Sequence, residues 1–392
     1  MTYTTSKSIL IDELDFFIKS NSYDSTTTHS NEIKITASDG AVDDEFGFSV
    51  AVGSGRIVVG AWLDDDNGTD SGAAYVFDFL GNQLLKLIPG DVSADGQFGV
   101  SVAIGSGRIV VTATGEAAIY IFDLNGSLIK RATASDLVAG QLFGWRVAIG
   151  SGRIVVGSPQ DTTNGTDAGA AYIFDLDGNQ IAKILASDGA AGDSFGISVG
   201  AGSGRIIVGA WRNDDNGTDS GSAYIFDLDG NEITKIIASD AAADDRFGIS
   251  VAAGSGRIIV AAYLNDDAGS ASGSAYIFDL DGNEITKIVA SDAVGGDGFG
   301  VSVAIGSGRI VVGAFGVDDN GSASGSAYVF DLDGNQLSKI LASDGATEDY
   351  FGADVAVGSG RIVIGSFGSN SSTGAAYIYT TPTQKHFLDQ LD

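Results

Sequence analysis

The 392-residue chain has no cysteine, three prolines, one methionine and two histidines, and its 21 lysines and arginines face 51 aspartates and glutamates. Each shortage excludes something. Without cysteine there is no disulfide framework, thiolate zinc site, iron–sulfur cluster or cysteine nucleophile. The two histidines, His29 and His386, sit near the termini, so a histidine-based site in the body of the chain is not expected. A net charge of −30 repels phosphate backbones and anionic lipid, which argues against nucleic-acid and membrane-surface partners. No apolar run reaches the roughly 18 residues that suggest a membrane-spanning helix. The opening residues lack a basic stretch followed by an unbroken apolar one, so no Sec-type signal is expected. A hydrophobic content of 44% is nevertheless ample for a folded core.

What is present is a repeat. Phe-Gly recurs at Phe46, Phe98, Phe143, Phe195, Phe247, Phe299 and Phe351, and ten residues after each comes the arginine of Gly-Ser-Gly-Arg. The spacings are 52, 45, 52, 52, 52 and 52, so there are seven copies, one shortened by seven residues. Each copy reads as four short strands. In the fourth, Ile197 to Ala201 alternates into a Gly-Ser-Gly turn, Arg205 to Ala210 is a β-branched run, Ser222 to Asp227 is a third strand, and Asp229-Gly230 is a hairpin signal before a mixed outer strand, Asn231 to Ala238. Four antiparallel strands at a period near 50 predict propeller blades. A parallel β-helix, the alternative, needs shorter rungs.

The seventh copy ends after its third strand, Ala375 to Tyr379, and the missing outer strand is found at the other end of the chain. Asn31 to Asp39 matches Asn231 to Asp240 with one residue fewer. The expected fold is therefore an all-β, seven-bladed β-propeller with four antiparallel strands per blade, its ring closed by an N-terminal outer strand. The expected organisation is an anchoring tail at 1–30, the propeller at 31–380 and a C-terminal tail at 381–392.

Phe-Gly-x-Ser-Val-Ala followed by Val-Val-Gly-Ala-Trp (Phe46 to Trp62), with looser versions from Phe143 to Pro159 and Phe195 to Trp211, resembles the FG-GAP repeat. That resemblance implies the seven-bladed propeller of integrin α subunits and of many surface proteins, and adhesion or ligand display more often than catalysis. The family's Asp-rich calcium turn is replaced here by Gly-Ser-Gly-Arg in all seven copies, so its calcium sites do not carry over. The Gly-Ser-Gly-Arg-Ile-Val-Val-Gly-Ala style of repeat is also similar to predicted structural proteins of marine cyanophages.

In a propeller the turns between first and second and between third and fourth strands share one face, which here is short and uniform. Its glycines supply unusual backbone angles, and its arginines can pair with turn aspartates. The opposite, loop face is longer, variable and acidic. Asp64, Asp66 and Asp70, then Asp214, Asp215 and Asp219, then Asp266 and Asp267, then Asp318 and Asp319 lie on it. Such carboxylates suit calcium, the one cofactor the loops suggest, but the spacing misses Asp-x-Asx-x-Asx-Gly, whose first ligand position would be Leu63 or Arg212. Solvated Asx turns and weak calcium sites both stand as readings. The second strand ends in Trp62, Trp211, Tyr263 and Phe315 in four copies, where a ring either fills a gap between blades or stacks on a sugar. The second copy lacks this loop, running Thr112 to Ala117, and leaves a notch. Four basic residues, Arg131, Arg146, Arg212 and Arg246, belong neither to the turns, the outer strands nor the tails, too few for a nucleic-acid patch.

Leu10, Leu14, Phe17 and Ile18 fall at helical spacing, and a short amphipathic helix there would need a partner to dock on. The expected function is non-enzymatic: a structural or attachment protein of a virion (a phage fibre, tail or capsid-decorating component), held by its tails to other assembly proteins and displaying the propeller to a host-surface glycan or protein. The alternative is a secreted or cell-surface adhesin or lectin with calcium dependence. A propeller hydrolase using paired aspartates is the enzymatic alternative; it is disfavoured because the acids recur in most blades instead of forming one asymmetric site.

Overall fold

Glycine placement explains why these repeats become blades. The second strand of blade 1 carries Gly60, and a Cβ there would sit 2.0 Å from the carbonyl oxygen of Gly99, in the Phe-Gly pair of blade 2. Gly99 itself has φ of 99°, an angle open to glycine at little cost. The same backbone-on-backbone approach recurs around the ring, including Gly365 against Gly47, where the last blade meets the first. Thr112 and Ala261 take the place of the second-strand glycine in blades 2 and 5.

The computed structural model describes residues 31–381, which form seven four-stranded antiparallel sheets. Blade 1 comprises Ser49–Gly53, Arg56–Ala61, Ala73–Phe77 and Gln83–Leu87, in spatial order from channel to rim. Ile33–Ile35 is the outer strand of blade 7, pairing antiparallel with Ala375–Thr380 so that Ile33 faces Ile378. The closure expected from the sequence is therefore present. Leu10, Leu14, Phe17 and Ile18, with both tails, lie outside the described residues. A short segment, Ser369–Ser372, is helical by its hydrogen bonding but holds Asn370 and Ser371 at left-handed angles.

The core lies between blades, as seven apolar clusters each built from two neighbours. Inside each blade the phenylalanine of Phe-Gly meets a tyrosine and a second ring of the third strand edge-to-face, as Phe46 does with Tyr75 at 5.4 Å and Phe77 at 5.9 Å. In blade 7 Tyr379 takes the second position. Edge-to-face pairs at these distances stabilise beyond the area they bury.

Polar ties run around both ends of the channel. At the turn end, the serine hydroxyls of Ser151, Ser203, Ser255 and Ser307 accept the N–H of Gly204, Gly256, Gly308 and Gly360 in the next blade. At the loop end the position after Phe-Gly-x is serine in five blades. Ser49, Ser101, Ser250 and Ser302 accept the N–H of Val102, Val147, Val303 and Val355. Ser198 instead donates to the Gly248 carbonyl. Two blades depart from serine, with Arg146 in blade 3 and Asp354 in blade 7. Asp354 accepts the Val50 N–H at 2.7 Å, and so makes at the closing junction the bond that serine makes elsewhere.

Removing residues 1–40 takes away the closing strand, exposes the edge of Ala375–Thr380 and opens the cluster around Ile35, Phe46 and Ile378. The truncated chain is expected to melt roughly 10 °C lower or to aggregate, as read by differential scanning calorimetry and light scattering. An unchanged melting curve would contradict the closure.

Candidate binding face

The loop face is built from the ends of second strands, the connections that follow them and the links between blades. Its acidic loops have a regular internal structure that composition alone does not reveal. In blade 1, Asp64 is buried, accepts a hydrogen bond from the Tyr75 hydroxyl at 2.8 Å and pairs with the Lys86 ammonium at 2.9 Å. Lys86 also pairs with Asp39 and Asp66 and lies 5.1 Å from the centre of the Tyr75 ring. Blade 3 repeats this with Lys183, Asp136, Asp161 and Tyr172. In blades 4 and 5 asparagine replaces the buried aspartate, and Lys235 and Lys287 hold Asp188 with Asp215 and Asp240 with Asp267. Lys339 holds Asp292 and Asp319 in blade 6, and Lys34 holds Asp344 in blade 7.

Each of these lysines comes from an outer strand, so the recurring lysine is a built-in counter-ion. The sequence signal was a constant one: five of these Asp–Lys pairs are 47 residues apart. Blade 2 corrects the sequence reading of Arg131, which lies in the outer strand Leu128–Ala132 and takes the place of the lysine. Lys130 faces Ile121 and bonds Asn179, whereas Arg131 faces Tyr120 and donates to its hydroxyl.

The candidate calcium ligands are thereby accounted for. Asp66, Asp215, Asp267 and Asp319 are taken up by lysines. Asp214, Asp266 and Asp318 accept the N–H of Asp219, Ala271 and Ala323, closing Asx-type loops. Asp70 and Asp219 enter these loops through their backbone N–H. Among the described residues no cluster of three or more His, Asp or Glu is arranged to hold a metal ion. The turn where the family places its calcium loop is Gly-Ser-Gly-Arg, with no carboxylate. These residues do not fit calcium: a lysine ammonium stands among the paired carboxylates, and backbone N–H groups take the others.

Three of the seven turn arginines pair with turn aspartates as the sequence suggested. Arg108, Arg153 and Arg205 reach the next blade's hairpin, bonding the carbonyls of Leu176, Leu228 and Leu280 and pairing with Asp177, Asp229 and Asp281.

All four candidate aromatic residues are half-buried, and the ring divides them into two sectors. Across blades 6, 7 and 1, Phe315, Tyr350, Phe367, Phe48 and Trp62 form a continuous arc. Tyr350 stacks on Phe367 at 5.1 Å, Phe48 contacts Phe367 at 5.8 Å, and Trp62 lies 5.2 Å from Phe48. The Trp62 indole N–H donates to Glu45 at 2.7 Å. In blades 4 and 5 the rings meet cations instead. Arg212 and Arg246 both lie 4.5 Å from the Trp211 ring, and Arg246 donates to the Tyr263 hydroxyl at 2.9 Å. Such contacts are typical cation–π geometry. Sequence reading found Trp62, Trp211, Tyr263 and Phe315 but not Phe48, Tyr350 and Phe367, which complete the arc from other positions of the repeat.

Two populations of aspartate give the face a definite acid response. Asp44, Asp193, Asp245, Asp297 and Asp349 have pKa values raised, chiefly by burial. Asp39, Asp136, Asp188, Asp240, Asp292 and Asp344 are also partly desolvated, but their lysine and tyrosine partners outweigh this and hold them below the ordinary value. As pH falls from neutrality the first group binds protons more readily in the folded chain, so stability rises. Below about pH 4 the second group is protonated more readily in the unfolded chain, so stability falls. Melting temperature is expected to peak in mildly acid buffer and to drop below about pH 4. A chelator at neutral pH is expected to leave it unchanged. Calorimetry across a pH series, with and without EDTA, checks both.

The FG-GAP repeat pattern matches residues 29–77, 126–174, 179–226, 231–278, 283–330 and 335–379. Each match runs from the outer strand of one blade to the third strand of the next. The stretch 78–125, which holds the shortened second copy, is left between matches. No curated protein matches the chain. Six matched segments covering most of the sequence, on a seven-bladed propeller, make this chain a member of the FG-GAP repeat family.

Proposed function

We propose that this protein is a non-catalytic attachment component of a virion, displaying the loop face of its propeller to a host-surface glycan or protein and anchored through the tail at 1–30. A β-propeller of FG-GAP repeats is an architecture for protein or adhesion binding. The observation that carries the reading is the asymmetry of the loop face. Its turn-side counterpart repeats one short motif, whereas the loop side gathers five half-exposed rings on blades 6, 7 and 1 beside Glu45. Rings of this kind stack on the C–H faces of sugars or pack against apolar side chains of a partner, and interfaces are enriched in them.

A non-catalytic role is supported by the acids themselves, which recur from blade to blade and are mostly engaged by lysines or backbone N–H groups. The virion setting is supported by the likeness of the Gly-Ser-Gly-Arg repeat to predicted cyanophage structural proteins. A cell-surface adhesin is the second reading, favoured by membership of the FG-GAP family.

Two measurements separate these. Native material prepared at low shear is expected to carry this chain at a fixed ratio to capsid, portal or tail proteins by mass spectrometry; recovery with envelope material instead would favour the adhesin. The double substitution Trp62→Ala, Phe367→Ala removes two half-exposed rings and is expected to weaken adsorption to host cells roughly tenfold or more, with the melting temperature within a few degrees of the parent. Undiminished adsorption would remove the aromatic arc from the binding role.

A further inference from the structure

The central channel holds a second feature, independent of the loop-face reading. At the loop end, the collar formed by the five serines, Arg146 and Asp354 encloses a cavity of about 160 Å³. An aliphatic bore of about 210 Å³, lined by residues such as Val52, Ile104, Ile149 and Ala201, continues along the axis, and Val102 and Val303 wall both spaces.

The two charged departures from serine are not equivalent. Asp354 has a structural use, since it accepts the Val50 N–H and the Ser302 hydroxyl at the closing junction. Arg146 has none of that kind. A guanidinium has no acceptor, so blade 3 offers Val199 nothing in place of the serine oxygen. Its one hydrogen bond runs from Nη1 to the neighbouring Trp145 carbonyl at 3.3 Å, with the guanidinium 5.5 Å from the Trp145 ring. No carboxylate of the described residues lies within 4.0 Å of it. The guanidinium is half-buried, Asp354 offsets its charge from beyond ion-pair distance, and its remaining donors are open to the channel. Blades 3 and 7 stand nearly opposite in a ring of seven, so the collar presents a positive group on one side and a negative group on the other. Ser101 and Ser250, which accept backbone N–H groups, keep their hydroxyl hydrogens for a ligand.

We propose that the channel binds a small zwitterion, a neutral aliphatic α-amino acid, with its carboxylate on Arg146, its ammonium on Asp354 and its side chain in the aliphatic bore. A simple anion would leave the negative charge of Asp354 uncompensated beside it, and a simple cation would do the same to Arg146. A zwitterion meets both charges at once, and the aliphatic side chains lining the bore flank its tail.

The full chain is titrated by isothermal calorimetry with leucine, with 4-methylpentanoate (the same skeleton without the ammonium) and with 3-methylbutylamine (without the carboxylate). Leucine is expected to bind saturably, and each truncated analogue roughly 10- to 100-fold more weakly. Arg146→Ser and Asp354→Ser each install the residue that the other blades use, so both are expected to fold. Arg146→Ser is expected to hold or raise the melting temperature while losing leucine binding. Three results would overturn the proposal: no saturable binding of leucine or valine by the unmodified chain, equal affinity for leucine and 4-methylpentanoate, or full leucine affinity in Arg146→Ser.

Discussion

Where Gly60 meets Gly99, and at four more of the seven junctions, two backbones approach so closely that no side chain fits between them. This contact sets the spacing of neighbouring blades, and the rest of the molecule follows from that spacing. It brings the third-strand tyrosine and the phenylalanine of Phe-Gly into edge-to-face contact within a blade. It also presses the aliphatic faces of adjacent sheets into the seven shared clusters. The phenylalanine anchors the glycine, and the glycine permits the approach. That is the physical content of the repeated Phe-Gly and Gly-Ala pairs, and it is why the repeat is read so readily as a propeller.

Blades held this way bring a dense set of acidic groups together, and the lysine of the outer strand is the response. Lys86 stands among Asp39, Asp64 and Asp66, and its counterparts do the same around the rim. A chain with a net charge of −30 thus keeps its most crowded carboxylates paired with ammonium groups. The exposed balance of the charge remains as a repulsive field against polyanions.

Sevenfold repetition makes departures informative. The missing loop of blade 2 changes the outline of the loop face. The rings of blades 6, 7 and 1 join into one arc because consecutive blades each contribute one or two. Arg146 and Asp354 interrupt a collar of serines, and one of them also closes the ring. A symmetric scaffold supports a specific site through such exceptions, since the repeated positions are occupied with holding the blades together.

The number of blades, their four strands, the closure by residues 31–39 and the replacement of the calcium turn were all legible in the sequence, because each depends on local pattern or on a fixed repeat length. The candidate rings at Trp62, Trp211, Tyr263 and Phe315 were legible for the same reason, as they occupy one position of the repeat. Phe48, Tyr350 and Phe367 were not, because they come from different positions and meet only when blade 7 is set against blade 1. The pairing of Lys86 with Asp39 was visible as a spacing, but its meaning needed the outer strand to lean over the loop face. Arg146 and Asp354 both replace the serine of Phe-Gly-x-Ser, a departure the sequence reading did not pick out; their sharing one channel follows from ring closure, which brings together residues 208 positions apart in the chain. Local chemistry wrote the blades; the closed ring decided which of their side chains share a space.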